Sequence, residues 1–126
     1  RQVRIGAWGA DSASLDDAAG AERPSAVIAF EASALADMAE LARGEKRFPL
    51  LYGCGSTPAI AAALEKGRVT AIAAVNAYSA GYLAVEATAA LARHEHWTDV
   101  PSVAFSVVRK ENMYDSDNQK LLFPVT

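Results

Sequence analysis

Short apolar runs, each followed by residues at helical spacing, set the limits on what this chain can fold into. "SAVIAF" (25–30), "FPLLYG" (48–53) and "RVTAIAAV" (68–75) are apolar at nearly every position rather than alternately. A strand of that kind needs cover on both faces, as strands of parallel sheets do. After the first run, Leu35, Met38, Ala39 and Ala42 follow helical spacing, with Ser33 expected as N-cap and Gly44 as terminator. After the second, Thr57 and Pro58 form a sound helix start, since proline lacks the amide that would go unpaired there, and Gly67 stops "AIAAALEKG". After the third, Tyr78, Tyr82, Val85 and Ala89 lie along one side of a helix that begins beyond Asn76. "VRIGAW" (3–8) and "PSVAFSVV" (101–108) are further strand candidates, while the tail after residue 109 shows no clear period. The expected fold class is α/β, a parallel sheet flanked by helices, with right-handed crossovers bringing every strand's C-terminal end to one edge.

The chain has 126 residues, enough for a single α/β unit and too few for two ordinary domains. Its net charge is −3, and its Lys and Arg residues are scattered, which argues against direct binding of nucleic acid. No run approaches the roughly 20 apolar residues that span a bilayer, so no membrane insertion is expected. The opening "RQVRIG" lacks the apolar core of a secretion signal and starts abruptly in a strand pattern. A single cysteine, Cys54, excludes an internal disulfide.

Ligands of open α/β sheets bind beside the edge where the strands end. The residues there are Trp8, Glu31, the stretch from Cys54 to Thr57 with Gly55 and Ser56, and Asn76 with Tyr78. Asn76 reads either as a helix cap or as a ligand contact offering two donors and an acceptor. Tyr78 and Trp8 read either as packed aromatics or as ring faces for a ligand. Glu31 reads as an acceptor for ligand hydroxyls or as an exposed acid at a helix start. "GCGST" lacks the Gly-Lys-Ser/Thr end of a nucleotide loop, and no dinucleotide fingerprint is present. Cys54 has no histidine near it by spacing, because His94 and His96 follow a different helix. "HEH" (94–96) reads as a solvated helix terminus rather than a metal site, and "DSDNQK" has Lys120 where a calcium loop needs glycine. No opposed pair of acids and no base-and-nucleophile set is present, so neither an enzyme, a metal nor a cofactor is expected.

"SAVIAFEASALADMAELA", "PLLYGCGSTPAIAAALEKGRVTAIAAVNAYSAGYLAVEA" and "ENMYDSDNQKLLFP" are similar to the C-terminal half of type 1 periplasmic sugar-binding proteins. These are the receptors of bacterial ABC importers and share a fold with the effector domains of LacI-type regulators. The resemblance covers roughly residues 24–124, and the closing "ENMY…NQKLLFP" favours the receptors. It implies a flavodoxin-like lobe of a two-lobed fold, with 1–76 and about 110–126 resembling lobe 2 and 77–109 resembling the segment that crosses to lobe 1. It assigns ligand contacts to Glu31 and Asn76, to Ser56 and the Gly55 region, and to the rings of Trp8 or Tyr78. The family commonly carries an aspartate where Gly55 stands, so this departure changes one sugar-hydroxyl contact.

The function implied is non-catalytic binding of a small polar, sugar-like solute by an ABC-importer receptor, periplasmic or extracellular and lipid-anchored in some full-length forms. The implied partners are that solute, an ABC permease, and the missing lobe or a second copy of the chain. The alternatives are the effector-sensing domain of a LacI-type transcriptional regulator and, remotely, a small hydrolase using Cys54.

Overall fold

A computed structural model of the chain describes Val3, residues 24–97 and residues 102–124. Trp8, and "VRIGAW" apart from Val3, lie outside the described residues. Among the described residues, four strands form one sheet in the order β1 (Ala26–Ala29), β2 (Leu50–Cys54), β3 (Ala71–Val75) and β4 (Phe105–Val108). Between and after them come α1 (Ala32–Leu41), α2 (Pro58–Glu65), α3 (Ala77–Ala92) and α4 (Ser116–Leu122). The architecture is α/β with a mostly parallel, open sheet.

The three apolar runs are the three parallel strands. β1 pairs with β2 from Ala26↔Leu50 to Ala29↔Gly53, and β2 with β3 from Tyr52↔Ala71 to Cys54↔Ala73. β4 departs from the all-parallel expectation, pairing antiparallel with β3 from Ile72↔Val108 to Val75↔Phe105. The connection explains the reversal. A parallel fourth strand needs its linker to carry the chain back across a sheet face to the opposite edge. Here α3 leaves the edge where β3 ends and the chain returns to that same edge, so β4 runs the other way.

Register divides the sheet into two unlike faces. Val27, Ala29, Leu51, Gly53, Ile72, Ala74 and Val108 point to one side and meet α1, α2 and the C-terminal segment. Leu35, Met38 and Ala39 of α1, Ile60, Ala63 and Leu64 of α2, and Met113 and Leu122 beyond β4 complete that core. No polar or charged side chain is buried among the described residues. Gly53 is required for the closeness of this packing: a Cβ there would lie 2.7 Å from a Leu35 methyl and 2.8 Å from the Ala29 carbonyl. On the opposite side Ile28, Leu50, Val75, Phe105 and Val107 are exposed. The continuous apolar runs predict cover on both faces; among the described residues it lies on one.

The helix ends follow local chemistry with one correction. Thr57 caps α2, its Oγ1 accepting from the Ile60 amide at 3.4 Å, with Pro58 opening the helix. Gly67 leaves α2 with φ of 72°, the left-handed conformation that glycine adopts without a Cβ penalty. α1 starts two residues earlier than expected. Its N-cap is Glu31, without a side-chain cap bond, and Ser33 falls inside the first turn. α3 differs from both. Of its 16 residues only Ala90 is buried, with Ala80, Leu83 and Ala87 half-buried on the same side.

Candidate functional site

Parallel pairing of β1, β2 and β3 puts the residues following each of them on one edge of the sheet. Glu31 follows β1, Gly55 and Ser56 follow β2, and Asn76 and Tyr78 follow β3. Because β4 is antiparallel, its beginning meets the same edge, with Phe105 opposite Val75. The edge carries two separate groups.

The first group is built around Gly55. Its φ is 131°, and a Cβ would lie 2.9 Å from both the Ala32 Cβ and the Ile60 Cδ1. Gly55 therefore sits against the start of α1, immediately after Glu31, and no side chain fits there without displacement of α1 or α2. The Gly55 amide donates to the Ala73 carbonyl at 3.2 Å, extending the sheet ladder, so it is committed and not turned to a ligand. Among the described residues, the exposed Glu31 carboxylate and the half-buried Ser56 hydroxyl have no hydrogen-bond partner. Both remain available to solute.

The second group is a groove of about 420 Å³ lined by Asn76, Tyr78, Ala104, Ser106, Asp117, Lys120 and Leu121. Asn76 caps α3: its Oδ1 accepts from the Ser79 amide at 3.0 Å. That bond fixes the carboxamide and leaves the Nδ2 donors unspent. Tyr78 is exposed, and Ser106 is half-buried on β4. On α4, Lys120 and Asp117 form an exposed ion pair at 3.8 Å, set one helical turn apart. The groove thus presents amide and ammonium donors, a carboxylate acceptor, two hydroxyls and one ring. That inventory suits a small molecule with several hydroxyl groups, which needs both donors and acceptors at close range.

Structure brings Asn76 and Tyr78 together and leaves Glu31, Gly55 and Ser56 along the edge beside them. Trp8 lies outside the described residues. Sequence reasoning missed Ser106, Asp117 and Lys120. The last two fall in the segment rejected as a calcium loop, and only the return of β4 beside β3 brings Ser106 to the groove. Cys54 is half-buried, and among the described residues no group of three or more His, Cys, Asp or Glu side chains could hold a metal ion. No described helix is long and apolar enough to cross a membrane.

No family model, no curated protein and no solved structure matches the chain.

Proposed function

We propose that the chain is the ligand-holding part of a solute-binding receptor of an ABC importer, working outside the cytoplasmic membrane, and that it binds a small polar, sugar-like molecule without transforming it. The reading rests on its resemblance to the type 1 periplasmic sugar-binding proteins and is supported by one observation above all. The edge where three parallel strands end carries a groove whose side chains are hydrogen-bond donors and acceptors flanked by a tyrosine ring. Asn76 Nδ2 and Lys120 donate to solute hydroxyls, Asp117 accepts from them, and Tyr78 lies against an apolar sugar face. Glu31 and Ser56 extend the polar edge towards β1 and serve a larger solute or one held from the other side.

A groove open along one side buries only part of a small ligand, so this unit alone binds weakly, and tight binding needs a second lobe closing over it. The permease recognises the assembled receptor rather than this groove. Titration of isotopically labelled protein with a panel of mono- and disaccharides, followed by amide and side-chain resonances, tests the assignment. At least one sugar is expected to shift the Asn76 side-chain amide together with Tyr78, Ser106 and Lys120, saturating in the millimolar range. Shifts confined to other surfaces, or none with any sugar at high concentration, would defeat it.

A further inference from the structure

We propose that α3 is a self-association helix, pairing antiparallel with α3 of a second copy of this chain. Tyr78 also lines the groove, so a second copy and a solute lying against that ring compete for it.

Tyr78, Tyr82, Val85, Ala89 and Ala92 recur at alternating spacings of four and three, the pattern of a coiled-coil seam. Tyr78 is 84% exposed, Tyr82 61% and Val85 71%, although the helix has a second apolar stripe, Ala80, Leu83, Ala87 and Ala90, that is already half-buried or buried. A helix apolar on more than one side belongs between two neighbours.

The distribution of size along the seam identifies the second neighbour. The bulky side chains, Tyr78 and Tyr82, stand in the N-terminal half of α3. The C-terminal half carries small side chains around Val85, namely Ala84, Thr88, Ala89 and Ala92, which leave a shallow, open hollow on its surface. A two-fold axis through Val85 places Tyr78 over Ala92 and Tyr82 over Thr88 and Ala89 of the second copy, filling both hollows with both pairs of rings. Parallel pairing would set tyrosine against tyrosine and leave the alanines facing a void.

Area agrees with a weak, reversible contact. Two tyrosines, a valine and the small residues between them offer roughly 500–600 Å² per copy, near the lower limit for a specific interface. Glu86, beside Val85, flanks the seam and is repeated across the axis, so added salt is expected to tighten the pair by screening the two carboxylates.

Sedimentation equilibrium of the whole chain tests the proposal alongside size-swapped variants. The wild-type chain is expected to dimerise reversibly, and Val85→Glu, which adds a charge at the axis, to weaken the dimer about tenfold or more. Ala89→Tyr alone is expected to weaken it similarly by overfilling the hollow. Ala89→Tyr combined with Tyr82→Ala reverses the two sizes and is expected to restore association to within about threefold of wild type. Circular dichroism separates these effects from loss of fold. For orientation, Tyr78→Cys and Ala92→Cys chains, each with Cys54→Ser, are expected to form a disulfide dimer when mixed but not separately. A strictly monomeric wild-type chain, association untouched by Val85→Glu, failure of the size swap to restore it, or crosslinking of either cysteine variant with itself would each overturn the proposal.

Discussion

α2 and α3 make an instructive pair. Both are rich in alanine, both follow a parallel strand, and both begin at a residue whose side-chain oxygen accepts an amide of the first turn. Yet four of the eight residues of α2 are buried, against one of sixteen in α3. Composition does not explain the difference, because α3 has apolar residues on more sides than it uses. Topology does. The link from β2 to β3 must recross the sheet to enter a parallel strand, which lays α2 on the core. The link from β3 to β4 returns to the edge it left, which carries α3 outward. One helix contributes to stability, and the other presents surface.

Substitutions at the core should therefore cost far more than substitutions of equal size on α3. Leu35→Ala removes a fully buried side chain from between α1 and β2 and is expected to cost about 2–5 kcal/mol in chemical denaturation. Gly53→Ala adds one methyl where Leu35 and the Ala29 carbonyl already stand, and should cost roughly 1–3 kcal/mol. The matching change on α3, Tyr82→Ala, is expected to move monomer stability by no more than about 0.5 kcal/mol. An effect on the scale of Leu35→Ala would erase the distinction between the helices.

The two caps sharpen the comparison. Thr57→Ala and Asn76→Ala each delete one cap bond, worth about 1 kcal/mol to its helix. Thr57→Ala should shift the global denaturation midpoint, because α2 forms with the core. Asn76→Ala should instead lower helicity at low temperature while leaving that midpoint nearly in place, and should also weaken any sugar response at the groove.

The smallest effect belongs to the tail. Tyr114 donates to the Glu65 carboxylate at 2.6 Å and stacks on Phe123, tying the segment after β4 to the end of α2. That hydrogen bond, with lesser help from desolvation and the negative charge of Glu65, raises the Tyr114 pKa above the usual tyrosine value. The sign follows directly: the neutral phenol is the donor, so the contribution is whole below the ordinary tyrosine pKa and fades as pH climbs through the raised one. Tyr114→Phe keeps the stacking and should flatten the alkaline part of the stability profile, leaving neutral-pH stability only slightly lower.

Much of the core was readable because its signals are local. Apolar runs marked β1 to β3, Thr57-Pro58 and Gly67 bounded α2, and the same spacing that placed Asn76 at a strand end also allowed the cap it makes. What escaped depends on partners distant in sequence. The direction of β4 is fixed by where α3 leaves the chain, which no pattern within 101–108 records. α4 has seven residues, too few to display a period, so Asp117 and Lys120 could not be placed beside Asn76. The crowding of Gly55 by Ala32 and Ile60 and its bond to Ala73 exist only once the helices are packed, so no local pattern records them.

Native-state hydrogen exchange, resolved by residue at a concentration well below association, measures the division between core and outgoing helix most directly. Amides of β2, α1 and α2 should exchange only through global unfolding and respond fully to Leu35→Ala. Those of α3 should exchange through a local opening of much lower free energy, unchanged by that substitution. Equal protection in α2 and α3, falling together when Leu35 is truncated, would contradict the division.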